Sequence, residues 1–348
     1  MSTPVPVHHP LIELTLARFK EFLREPEAVF WVFAFPIIMT CALGIAFRSS
    51  ADQPIIVGVV QNSGGAETTA ALQQAGGFTV RPIDEGDIGR AVRDGRAAVV
   101  VSPGAPPVYH FDSARAESQA ARLAVDAALQ RAAGRTDRFV ARQEPLEIVG
   151  SRYIDWLVPG LLGMNIMSTG LWGVGFAIVN ARTKKLLKRL VATPMSKAHY
   201  LASHVLSRLA FLALETSVLI GFGWIAFGVA VRGSIVALAA ISLIGALSFG
   251  GLALLVSSRA RTIEAVSGLL NLVMLPMWVL SGVFFAASNF PDAMQPFIQA
   301  LPLTALNDAL RAVVNEGASL AAVASEIAIM TGWGAISFVI ALRLFRWK

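Results

Sequence analysis

Few of the 348 residues carry side chains able to attack, ligate or exchange a proton. His8 and His9 lie near the start, His110 closes a short apolar run, and His199 and His204 are five apart. No carboxylate or cysteine neighbours that last pair, so the pattern lacks the ligands a zinc site needs. The only cysteine, Cys41, sits inside an apolar segment, which excludes a disulfide within the chain. G-x-x-x-x-G-K-[ST] is absent. NSGGAETT (62–69) offers glycines before threonines but no lysine, and reads as a strand-to-helix turn. No nucleophile stands at a spacing that pairs it with a base. The expectation is a protein that is not an enzyme, with no catalytic, metal or cofactor residue.

One acid stands out. Glu215 falls near the middle of an apolar segment, and no other acidic residue occurs between Trp156 and Leu214. Ionisable groups inside a membrane are costly and often functional. Glu215 therefore either lines a polar path or is protonated or hydrogen-bonded between packed helices. Arg208 lies two turns earlier on the same face, towards the segment's end. Asn165, Ser168, Asn271 and Trp278 are further candidates for a substrate path, with helix–helix packing as the competing role.

The second chemical feature is NARTKKLLKRLVATPM (180–195), where Arg182, Lys184, Lys185, Lys188 and Arg189 crowd together. Such a run can bind nucleic acid, contact anionic lipid, orient a membrane protein or dock a partner. Its position, as a short loop between two apolar segments, sets nucleic acid aside. Leu186, Leu187 and Leu190 form an apolar strip between the cations, and Thr193-Pro194 stops the helix.

These residues must be held by membrane helices. Charged residues make up only 15% of the chain, and mean hydropathy is +0.61. The apolar residues clump into runs long enough to cross a hydrocarbon core of about 30 Å. Spans are expected at 29–47, 156–179, 205–231, 234–256, 263–285 and 320–342. A stretch of nearly 30 charged and polar residues precedes the first span, so no cleavable signal peptide is expected. Within it, Leu11, Ile12, Leu16, Phe19, Phe22 and Leu23 at helical spacing predict an amphipathic helix on the membrane surface, ended by Pro26. Between the first two spans, strand-like runs at 54–60, 77–82, 97–103 and 107–111 alternate with helical ones at 66–75, 85–94 and 114–133. Residues 288–317 are too polar to span; Pro291, Pro296 and Pro302 break them into short helices at or in the membrane face, where Asp308 and Arg311 can pair.

The fold class expected is thus an α-helical polytopic membrane protein with six transmembrane helices and an inserted α/β extracytoplasmic domain. Its parts would be an interfacial helix (1–28), a first span (29–47), the α/β domain (48–155) and a five-span bundle (156–348). The bundle carries a cytoplasmic loop at 180–204 and an extracytoplasmic amphipathic loop at 286–319. All six lysines fall on one side of this arrangement. The positive-inside rule then makes both termini and the basic loop cytoplasmic, with Tyr153 and Trp156 as an outer aromatic anchor.

The order of parts resembles the permease subunits of type-2 ABC exporters (ABC-2 type transporters with a large extracytoplasmic domain). The supporting motifs are Arg24-Glu25-Pro26 before the first span, LVPGLLGMNIM (157–167), KRLVATPMS (188–196) followed by Tyr200-Leu201, SGVFF (281–285), LPLT (301–304) and ALR (309–311). Together they cover nearly the whole chain. The loop differs from many relatives in lacking acidic residues, and FFAASNFP inserts residues before its proline.

The resemblance implies a permease without its own ATPase site, and a separate dimeric ATPase as partner. It also implies a second permease copy or a paralogue, and residence in a bacterial-type cytoplasmic (inner) membrane in contact with lipid. It makes Arg182, Lys184, Lys185, Leu186, Leu187, Lys188, Arg189, Leu190, Thr193 and Pro194 a coupling helix docked on the ATPase. An envelope partner for the α/β domain, and a hydrophobic or amphipathic cargo such as a drug, lipid or glycan-like molecule, complete the expectation. Two alternatives remain at this stage: an ion-coupled secondary carrier using Glu215, and a membrane-anchored sensor or partner-binding protein.

Overall fold

The computed structural model describes residues 16, 19–20, 22–47, 54–136, 139, 144, 150–183 and 197–344. The chain divides into two compact units, Ser50–Leu146 and the remainder.

The smaller unit is built on a four-stranded sheet. Its strands are β1 (Ile55–Val60), β2 (Phe78–Ile83), β3 (Val99–Ser102) and β4 (Val108–Phe111), in the order β2-β1-β3-β4. β1 pairs in parallel with β2 and β3, and β3 pairs antiparallel with β4. Alternation along the strands dictates the layers. Val57, Val59, Val99 and Val101 face α2 (Gly65–Ala75) and α4 (Ala116–Ala132) through Leu72, Ala121 and Val125. Val60, Ile83 and Val100 face α3 (Ile88–Arg93) through Ala91.

The larger unit holds six helices long and apolar enough to cross a membrane. These are α1 (Pro26–Ala46), α5 (Tyr153–Thr183), α6 (Lys197–Phe227), α7 (Ile235–Ser257), α8 (Ile263–Leu280) and α11 (Ala324–Leu344). Their ends fall within eight residues of the expected spans. In the chain, the sheet unit lies between α1 and α5. Phe19 and Phe22, from the stretch expected to be amphipathic, lay their rings on Phe211 of α6.

α5 is the central helix: 56% of its spanning window is buried, against 17% for α1 and α11. It packs on α1, α6, α7 and α8. The polar stretch expected at the membrane face forms α9 (Gln295–Gln299) and α10 (Pro302–Glu316). α10 does more than rest on the bundle, since Pro302–Asn307, Leu310, Val313 and Val314 are all buried, against α5, α7 and α11. At 15 residues it is about 22 Å long, too short to cross. Its last carbonyls are satisfied from the turn between α6 and α7, where Arg232 and Gly233 donate N–H groups to Val314 and Val313.

Candidate functional site

Three polar clusters thread the bundle, and the innermost begins with proline chemistry. A proline in a helix removes the N–H that should bond the carbonyl four residues earlier. Pro36 in α1 thus strips a donor from Val32. There the helix widens into a π segment, Phe30–Ala34, with the Phe35 N–H reaching back to the Phe30 carbonyl. The Asn165 amide on α5 donates to Val32 O at 3.1 Å and fills the gap. Pro159 in α5 does the same to Asp155, and Asn315 at the end of α10 donates to Asp155 O at 2.9 Å. Asn165, named as a path candidate, is thus buried (4% exposed) and occupied by a structural bond.

The second cluster surrounds Glu215, which is 2% exposed. Arg208, expected on the same helix face, is beside it. Arg208 Nη1 lies 3.3 Å from Glu215 Oε1, and Arg208 Nη2 donates to Thr169 Oγ1 at 2.7 Å. Thr169 Oγ1 lies 2.8 Å from the Asn165 carbonyl and 3.1 Å from Glu215 Oε2, so one hydroxyl proton faces two acceptors. The separation of seven residues puts acid and base two turns apart on one helix face, and the long arginine stem closes the distance. Thr169 comes from α5, and nothing in its local sequence marks it. Ser168 bonds its own helix at Met164 O, 2.7 Å away.

The third cluster, at the other end of α5, was not expected as a site, although Gly163, Ser281, Gly282 and Arg311 fall in the family motifs and Asp308 and Arg311 were expected to pair. Arg311 of α10 is 6% exposed. Its guanidinium lies 3.4 Å from the centre of the Trp156 ring. Nε points at the Trp156 carbonyl (3.4 Å), Nη2 donates to the Gly282 carbonyl and Nη1 meets Asp308 at 3.5 Å. Burial pushes the Arg311 guanidinium down to about 10, partly offset by Asp308, and pushes the Asp308 carboxyl up. Asn307 donates to the Ser281 carbonyl at 2.8 Å. A Cβ on Gly163 would collide with Asn307 Oδ1, and Gly282 has φ +69°, so both positions need glycine. The expected aromatic anchor is turned inward. Tyr153 donates to the Phe284 carbonyl at 3.0 Å, and Trp156 lies beneath Arg311.

At the opposite end of α5, Arg182 donates to Ala260 O at 2.8 Å and reaches Ser258 O at 3.5 Å. It thereby holds the turn that leads from α7 into α8, where Thr262 Oγ1 caps the helix by accepting from the Ala265 N–H. Lys184, Lys185, Leu186, Leu187, Lys188, Arg189, Leu190, Thr193 and Pro194 lie outside the described residues.

The remaining two candidates sit on α8. Trp278 is partly buried, and its Nε1 has no partner among the described residues. Asn271, at the middle of α8, is exposed on a face shared with Leu269, Leu272, Leu275 and Val279. No bond joins either to the Glu215 cluster among the described residues.

A family model described as "ABC-2 family transporter protein" matches residues 27–343. Nodulation protein J of Bradyrhizobium diazoefficiens is 30% identical over 206 residues, covering 57% of this chain and 76% of the relative. Nodulation protein J of Rhizobium meliloti is 26% identical over 202 residues, covering 57% and 75%. The linearmycin resistance permease protein LnrN of Bacillus subtilis is 24% identical over 183 residues, covering 51% of this chain and 46% of LnrN.

Proposed function

Because the chain belongs to the ABC-2 transporter family, we propose that it is the membrane-spanning permease of an ATP-driven exporter, working with a separate ATPase subunit. Cargo passes along a seam between two permease copies, lined by α8. The observation that carries this reading is the exposed face of α8. Asn271 stands at the middle of a span, exposed and uncovered by the described helices, where lipid would leave its amide unsatisfied. The rest of that face is leucine and valine, a lining suited to hydrophobic or amphipathic cargo.

The docking segment is 184–194, with Lys184, Lys185, Lys188 and Arg189 flanking the leucine strip. Arg182 holds the base of that segment against the 258–262 turn, so a push on the docking segment reaches the start of α8. Both termini and this segment lie on the cytoplasmic side of a bacterial-type inner membrane, and the sheet unit lies outside. Glu215 gives an ion-coupled carrier little support, since its carboxylate is engaged by Arg208 and Thr169.

The test is copurification of an ATPase subunit from native membranes, followed by transport assays on Lys185→Glu/Arg189→Glu. The expected result is loss of both ATPase association and transport with the permease still folded. Retention of both would refute the docking assignment.

A further inference from the structure

Three prolines lie inside spanning helices away from their first turns or at a break in them: Pro36, Pro159 and Pro276. Each orphans one carbonyl, at Val32, Asp155 and Leu272 respectively. The first two are answered by asparagine amides from other helices, Asn165 and Asn315. The third is not answered by any side chain among the described residues. Leu272 is 69% exposed, on the same side of α8 as other exposed residues. An asparagine with no bonded partner among the described residues stands beside it: Asn271.

We propose that a second copy of this chain completes the pattern. Asn271 of one copy donates its side-chain N–H to the Leu272 carbonyl of the other, and the reverse bond forms at the same time. The inference rests on the two-copy reading above and names the contact that closes the seam.

Charge complementarity favours this occupant. The face carries a partially positive amide and a partially negative carbonyl one residue apart, hence about 1.5 Å apart in depth. Two copies inserted in the same sense and related by a twofold axis along the membrane normal bring each amide to the other's carbonyl. An isologous interface needs that self-complementarity. Gly268, one turn before Leu272, has nothing within 4 Å of where a Cβ would lie, leaving room for a close helix approach. Lipid can satisfy neither group. Among the described residues, no other helix of its own chain bonds Asn271, which is exposed.

The experiment uses the full chain with Cys41→Ala as background. Leu275→Cys, on the same face, is expected to give a covalent dimer with copper phenanthroline in membranes. Met274→Cys, which is buried, is expected to give none. Asn271→Leu is then compared by dilution-dependent dimer dissociation in detergent. Two symmetric bonds, each worth roughly threefold, predict a roughly tenfold weaker dimer.

The same change in a Pro276→Ala background is expected to have no effect, because the alanine N–H now satisfies Leu272 within its own helix. Equal weakening in both backgrounds, or none in either, overturns the proposal, as does absence of the Leu275→Cys dimer. An intact dimer with altered cargo export in Asn271→Leu would assign the amide to cargo and also overturn it. If these results come out as expected but no ATPase copurifies, the exporter reading fails and the interface stands.

Discussion

Glu215 and Arg208 carry opposite charges on one spanning helix and depend on each other for being there. Removing one partner of a buried pair strands the other, at roughly 3–5 kcal/mol, whereas removing both costs far less. Glu215→Leu is thus expected to lower the thermal midpoint in detergent more than the Arg208→Leu/Glu215→Leu double variant does. Glu215→Gln, which keeps the Thr169 contact, is expected to fall between wild type and Glu215→Leu. A second residue-scale expectation concerns Asn165→Leu. It leaves the Val32 carbonyl bare and is expected to cost about 1–3 kcal/mol. Pro36→Ala restores a local donor to that carbonyl, so the loss shrinks in its presence; chemical denaturation of the two pairs reads the difference. From sequence, Asn165 and Glu215 were identifiable as unusual residues in apolar surroundings. What each touches was not, because Asn165 and Val32 are 133 residues apart and Thr169 and Glu215 are 46 apart.

At the scale of elements, hydrophobic run length marked the six spans, since each must match the bilayer's thickness. Alternation and turn residues marked the strands within one or two residues. α10 resisted the same logic. Its prolines and polar residues read as a surface helix, yet Asn307 and Arg311 are polar because they meet backbone carbonyls of the turn that follows α8, at Ser281 and Gly282. Arg311→Lys tests this arrangement. An ammonium keeps the charge but cannot lie flat on Trp156 while reaching several carbonyls. The expected outcome is a lower melting temperature with dimer cross-linking preserved. Arg182→Ala is the counterpart at the other end of α5. It is expected to lower transport while ATPase association persists, because the link to the α7–α8 turn is cut.

For the whole molecule, the distribution of lysine and arginine predicts which side each loop occupies. A cysteine introduced at Ser63 in the sheet unit is expected to react with a membrane-impermeant maleimide in intact cells. One at Ser196 is expected to react only after permeabilisation. Labelling in the opposite sense would invert the topology and with it the docking proposal. The proposed assembly of two copies left a trace in the sequence only as an asparagine in a span. Its meaning emerged once Asn271 was found exposed beside the Pro276-orphaned carbonyl, with no bonded partner among the described residues.

The bond between Asn315 and the Asp155 carbonyl also sets an order of events during synthesis. The two residues are 160 positions apart. A ribosome adding roughly 5–20 residues per second needs about 8–32 s to pass from one to the other. Throughout that interval the second span sits in the bilayer with an open carbonyl at its first turn. The helix made second is therefore among the last to have its carbonyls satisfied.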